Sequence, residues 1–403
     1  MIKEIILNVK HFYKICDKPT FLFALAAVNQ VVGFTPQIPS VVYYAILILY
    51  AFYILKNLHS VNGLLVSFLL YVPLELLVMQ PDSVFKPWGR YVLFALVLIC
   101  NSPLLQGKKC RLYRLLIFRI ILFSCAFLGI GSCLARFVGI NYMVYDPSTD
   151  IFSVGLFGGL TFHSMLLGPI AGIGSLYMMA LWYRNKKLWY MVGAVMCLFA
   201  VLFSASRSAL MAVLAGNVLM LYKMSGTGSR FMKYVVIITL VTSITFPLWG
   251  SALNDVIAKN NNNIEAGGAF DSRSDKWNAR MKEFKDSPLL GVGFASIDPH
   301  ASDVSELTLT TGIVEPGSSW LCVFSMVGLI GALLLLPVFY RAIVIAWHSG
   351  SNAAAVITGV LTLFYVHMFA EGYVLSGGSF LSFCLWLAIG VAYDIKYYDN
   401  ERR

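Results

Sequence analysis

The chain has 403 residues, of which 59% are hydrophobic and only 12% charged, with a mean hydropathy of +0.75. Soluble domains carry about a quarter charged residues, so this composition excludes an ordinary soluble fold and indicates a polytopic membrane protein. The formal charge of +10 invites a nucleic-acid reading, which its distribution along the chain removes.

Twelve apolar runs read as membrane spans, at 20–35, 40–55, 63–79, 88–102, 115–136, 160–182, 188–204, 207–222, 234–252, 319–340, 353–370 and 379–395. Several are short for a hydrocarbon layer of about 30 Å, so their edges are defined only to within several residues. The first 19 residues are basic and mixed, and the first apolar run is followed by further spans, so no cleavable signal peptide is expected. With the amino terminus inside, "KHFYKICDK", "LKNLH", "GKKCRLYR", "YRNKKL", "KMSGTGSRFMK", "YRAIVIAWH" and "KYYDNERR" face the cytoplasm. That side, with Arg119 at a span edge, then holds 20 of the 30 Lys and Arg. This is the positive-inside pattern, and it puts both termini in the cytoplasm. The eight cysteines show no C-x-x-C spacing and lie mostly inside apolar runs; they read as small buried hydrophobes, not as a disulfide frame or zinc site. The expectation is one all-α integral membrane domain over residues 1–403.

Glu75, in "YVPLELLVMQ", is an ionisable group inside span three. Such groups are functional candidates by default, and this one lies about a turn from the outer end, within reach of water. Arg207 stands in "LFSASRSALMAV", where span seven ends and span eight begins on the outer side. One reading is an arginine snorkelling to water from a helix end. The other starts from its small neighbours Ser204, Ala205, Ser206, Ser208 and Ala209, which let a ligand approach the guanidinium closely; a lipid diphosphate would be a fitting anion. Both stay open.

Most connections are short, but residues 253–318 form a large outer loop. It opens with the polar run "KNNNNIEAGG" and continues "DSRSDKWNARMKEFKDSPLLGVGF". Ser272 and Asp275 have the spacing of an N-cap with an acidic third residue, Asp286-Ser287-Pro288 ends the helix, and "LLGVG" reads as a turn. Arg273, Trp277, Arg280 and Phe284 fall on one face of that helix at about 100° per residue. They are either solvated arginines on an interfacial helix or two guanidinium groups beside aromatic surface, set to grip a phosphate or a sugar. His367 and Glu371, at the outer end of span eleven, either line the same cavity or cap a helix.

Three of these stretches together resemble the O-antigen ligase and polymerase superfamily of bacterial inner-membrane proteins: "SRSAL" with Arg207, "SRSDKWNARMKEFKDSPLLGVGF", and "EPGSSWLCVFSMVGLIGALL" with its G-x-x-G at Gly328 and Gly331. A weaker fourth match is "GLTFHSMLLGP", with His163. The resemblance covers roughly residues 155–345. It implies a metal-independent glycosyltransferase of GT-C-type fold, without cofactor, using polyprenyl-diphosphate-linked sugars at the outer face of the inner membrane. Carried over, Arg207 and Arg273, helped by Arg280, would bind the donor diphosphate and stabilise it as the leaving group. Trp277, His163, Glu75, Ser318, His367 and Glu371 are candidates to line the cavity. The implied partners are an undecaprenyl-diphosphate-linked glycan as donor and another as acceptor, membrane lipids, and a chain-length regulator protein.

Ligases of the superfamily carry a His just before the small polar residue that opens the G-x-x-G helix. Here the chain reads Val314-Glu315-Pro316-Gly317-Ser318-Ser319, without a His. Glu315 is then the nearest group able to take a proton from the attacking hydroxyl, and His300 on the same loop is the alternative. Glu315 has two other readings, capping span ten or pairing with an arginine. The missing His favours a Wzy-type polymerase of lipid-linked repeat units, with inversion at the anomeric carbon, over a ligase that transfers finished glycan to lipid A core. A flippase for the same lipid-linked sugar is the third reading. Transporters show internal repeats and a polar site near the midplane; this chain shows no repeat between its halves, and its polar groups gather at the outer side.

Overall fold

The computed structural model describes residues 17–143, 157–244, 247, 271–301, 310, 312 and 315–400. The run "KNNNNIEAGG", the end of span nine and the extreme termini lie outside them. About 75% of the chain is helical. The helices are α1 Lys18–Asn29, α2 Ser40–Leu55, α3 Gly63–Met79, α4 Pro87–Asn101, α5 Lys108–Phe137, α6 Ser164–Asn185, α7 Leu188–Phe203, α8 Arg207–Ser225, α9 Gly228–Ile244, α10 Asp271–Asp286, α11 Ser319–His348, α12 Asn352–His367 and α13 Phe380–Asn400. A two-residue antiparallel ribbon pairs Ser60 with Gln106 and Val61 with Leu105.

Among the described residues six helices are long and apolar enough to cross a membrane, at Ser83–Asn101, Lys108–Phe137, Ser164–Asn185, Arg207–Ser225, Ser319–His348 and Phe380–Tyr397. Four shorter apolar helices, α2, α3, α7 and α12, accompany them. At 1.5 Å per residue a 16-residue helix spans only about 24 Å, which is why length alone does not qualify them. The composition and these helices make the chain a membrane protein. Outward residues such as Leu49, Phe52, Leu70, Leu74, Phe123 and Phe127 are large and apolar, as a lipid-facing surface requires.

Local chemistry starts and ends these helices. Side chains of Asp17, Asn62, Ser206, Ser318 and Ser351 accept hydrogen bonds from backbone N–H groups in the first turns of α1, α3, α8, α11 and α12, satisfying donors that a helix start leaves unpaired. The loop helix begins at Asp271, so Ser272 lies inside its first turn and is not its N-cap; it ends at Asp286, as the sequence indicates. The seven described cysteines are free and buried.

At one end of the bundle a buried ion pair ties α13 to α5. The Arg114 guanidinium donates to both carboxylate oxygens of Asp394 (2.8 and 3.0 Å) and to the carbonyls of Ser102 and Leu105. Arg114 thus belongs to the packed interior, not to a loop.

At the other end the chain makes a joint between two of its sequence motifs. Gly328 interrupts α11 with φ 61° and ψ −170°, a conformation open essentially to glycine alone. The segment after α10 fills the break. Leu329 and Ile330 donate to the carbonyls of Pro288 and Leu289, and Val292 and Gly293 donate to those of Ser325 and Met326. The helix therefore exchanges its own missing hydrogen bonds for bonds to "PLLGVG", which is what permits an irregular backbone inside a membrane protein. Three side chains fasten the joint. The Tyr71 hydroxyl donates to the Val327 carbonyl (2.8 Å), Arg90 donates to the carbonyls of Ala295 (3.0 Å) and Gly312 (2.5 Å), and Glu75 accepts the Phe294 N–H (3.1 Å).

Candidate active site

The α8–α12 pairing sets which residues share an end of the bundle. A Cβ on Gly216 would lie 2.7 Å from the Gly359 carbonyl, so the two helices cross at small residues in near backbone contact. Lys223, further along α8, donates to the carbonyl of Trp347, just before α12 begins. The helices are therefore antiparallel, and Arg207 at the start of α8 rises to the same end as His367 at the close of α12. Ala205, with φ 51°, makes the tight turn between α7 and α8, and Ser206 caps α8 by accepting the Ala209 N–H. A Cβ on Gly168 would meet Ala209 at 2.6 Å, so the first turns of α6 pack directly on this turn. His163, whose Nδ1 accepts the Met165 N–H at 3.1 Å, caps α6 there.

Four residues beyond the end of α12, Glu371 pairs with Arg273 of α10. Arg273 Nη2 lies 2.7 Å from Glu371 Oε1, and Nη1 lies 3.0 Å from Glu315 Oε1. The other oxygen of Glu315 pairs with Lys276 Nζ. Arg273 and Glu371 are 19% and 15% exposed in their side chains, whereas Glu315 is 58% exposed. Partial burial alone would raise the Glu315 carboxyl, but Lys276 and Arg273 outweigh it and hold it below the usual carboxylate range. The pair therefore stands complete at neutral pH and is lost only as pH falls through that lowered value. The Trp277 indole N–H donates to the Gly317 carbonyl at 3.2 Å, laying residues 315–318 along α10.

The face of α10 predicted from spacing divides in two. Its first half meets this ion cluster; its second half packs on α11, with Phe284 edge-on to Phe324 at 5.6 Å. Arg280 falls in the packed half. It is buried and pairs at 2.6 Å with Glu283, which is also buried. Burial pushes the Glu283 carboxyl up to about 7, partly offset by Arg280. Arg280 is thus buried in the packed half of the face, with one guanidinium nitrogen on Glu283, apart from the pairs that Arg273 makes.

Several other expectations are corrected. Glu75 is fully buried and holds the Phe294 N–H, so water does not reach it and it lines no cavity. Ser318 is buried, caps α11 through the Leu321 N–H and donates to the Met368 carbonyl. His367 is buried with Nδ1 3.2 Å from the Tyr373 hydroxyl. His300 is exposed, and its carbonyl is bound by Lys282. Lys282 lies nine residues beyond Arg273, half a turn out of phase on the helix, so His300 sits on the side of α10 away from the ion cluster. Sequence reasoning passed over Lys276, which its i+3 spacing from Arg273 would have signalled, and Arg90, whose loop partners only the fold reveals.

Residues 192–336 match the family model described as O-antigen ligase. That match supports the O-antigen ligase and polymerase superfamily. The matched stretch contains Arg207, Arg273, Lys276, Glu315 and both halves of the joint at Gly328. No curated protein matches the chain. That family implies a glycosyltransferase-like membrane enzyme of O-antigen-related polysaccharide biosynthesis, with lipid-linked glycans as its substrates. Among the described residues, no group of three or more His, Cys, Asp and Glu is placed to hold a metal ion.

Proposed function

We propose that the chain polymerises undecaprenyl-diphosphate-linked oligosaccharide repeats at the periplasmic face of the bacterial inner membrane, as a Wzy-type enzyme with a GT-C-like fold. The twelve apolar runs are its spans, both termini are cytoplasmic, and residues 253–318 form its periplasmic loop. The observation that carries the reading is that Arg207, at the start of α8, and Arg273, on the loop helix, lie at the same end of the bundle. The donor's lipid lies between helices and its diphosphate sits against these two guanidinium groups, whose forks suit phosphate oxygens. The acceptor hydroxyl attacks the anomeric carbon; a new C–O bond forms as the bond to the diphosphate breaks, and the electron pair stays on the leaving phosphate oxygen. Arg207 and Arg273 stabilise that charge. The proton passes to Glu315, which lies at the cluster, in preference to His300, which does not. Glu371 positions Arg273. Direct displacement inverts the anomeric centre.

Polymerase is preferred to ligase because residues 314–317, just before Ser318, include no His. The glycans of a strain lacking the gene decide between them. Single repeats on undecaprenyl diphosphate, with surface chains absent or one repeat long, are the expected outcome. Long polymer stranded on the lipid carrier would make the chain a ligase, and repeats confined to the cytoplasmic leaflet would make it a flippase. In the complemented strain, Arg207→Lys is expected to lower polymer yield by about tenfold or more, because an ammonium lacks the bidentate fork. A normal ladder from a normally expressed Arg207→Lys protein would remove Arg207 from the site.

A further inference from the structure

We propose that Lys276 is a second cation of the diphosphate site, and that Glu315 is an internal anion that occupies this site until the donor displaces it. The inference rests on the reading above, in which Arg273 binds the donor diphosphate.

Glu315 gives one oxygen to Arg273, at 3.0 Å, and the other to Lys276. One anionic group bridging a guanidinium and an ammonium is the arrangement a phosphate adopts between the same two cations. Lys276 is fixed in place: a Cβ on Gly317 would lie 2.8 Å from Lys276 Cβ, so the lysine stem lies tight beneath the 315–318 segment. Among the described residues Arg273 and Lys276 are set against the two carboxylates Glu315 and Glu371, so an anion arriving at Arg273 competes with a carboxylate.

The two carboxylates are not equivalent. Glu371 is 15% exposed, and its own carbonyl is bound by the N–H and hydroxyl of Ser319. Glu315 is 58% exposed, and exposed carboxylate pairs are weak. A diphosphate brings more charge and more acceptor oxygens than a carboxylate, so it takes Arg273 and Lys276 from Glu315 while Glu371 keeps Arg273 oriented. The displaced carboxylate is freed from the two cations that depress its basicity. It then serves as the base for the acceptor hydroxyl, so the base becomes competent only when the donor is in place.

The test is inorganic pyrophosphate binding to the detergent-purified full chain, measured calorimetrically. Lys276→Met is expected to weaken binding by about tenfold and Glu315→Gln to tighten it by about tenfold, although Glu315→Gln lowers turnover. A gain in affinity cannot come from misfolding, so the Glu315→Gln arm stays informative whatever happens to the lysine variant. Unchanged or weaker binding by Glu315→Gln, or unchanged binding by Lys276→Met, overturns the inference; if Arg273→Ala nevertheless abolishes binding, the proposed function stands without it. Binding that survives Arg273→Ala overturns both.

Discussion

Replacing Arg273 by alanine is expected to cut glycan polymer formation by about a hundredfold or more. The same protein should still accumulate in the membrane. Arg273 joins the loop helix both to the end of α12, through Glu371, and to the segment preceding α11, through Glu315. Its loss removes the fork that would face the donor diphosphate and leaves Glu371 without this partner and Glu315 with Lys276, taking a positive charge from where an anion must bind. The structural cost is roughly 1–3 kcal/mol: Glu315 is exposed and can turn to water, whereas the largely buried Glu371 loses this partner. Arg273→Lys keeps the charge but cannot contact Glu371 and a phosphate through one planar group, so it should restore little activity. Glycan ladders from cells with matched protein levels check this, and a full-length ladder from Arg273→Ala would sink the assignment.

Gly328→Val should have the largest effect on stability, about 3 kcal/mol or more, and should prevent accumulation of folded protein. Two separate costs meet at this residue. Its backbone conformation, φ 61° and ψ −170°, is closed to a β-branched side chain. A Cβ there would also lie 2.6 Å from Leu290 C and closer still to the Leu289 carbonyl. Relief requires expelling the "PLLGVG" segment, which would strip hydrogen-bond partners from residues 288–293 and from the break in α11 together. Gly350→Val is the control, since nothing lies within 4 Å of its added Cβ. The check is membrane-extracted protein level and resistance to protease for the two variants; wild-type behaviour of Gly328→Val would show that the break in α11 is not needed.

The sequence-based reading does well where the physics is local. Apolar run length acts over a few residues, so the helices fall close to where the pattern puts them. The loop helix was legible for the same reason, although its start differs. Its face was legible only in part: spacing places Arg273 and Arg280 together, yet one turns to the ion cluster and the other to Glu283. That division depends on how far α11 extends beneath α10, which no periodicity records. The intramembrane carboxylate Glu75 misled for a related cause. An ionisable residue in a span must find a partner, but the partner is a backbone N–H 219 positions away.

By itself, then, the sequence determined a helical membrane protein, because hydropathy is a property of short stretches. It also contained both glycine motifs of the joint and the charged residues of the cluster. Only the tertiary structure decided that Gly291 and Gly328 belong to one joint, that Glu371 meets Arg273 across 98 residues, and that Glu315 bridges Arg273 and Lys276. Those pairings depend on which backbones approach closely enough to exchange hydrogen bonds and which charges are buried together, and that proximity exists only after the helices have packed.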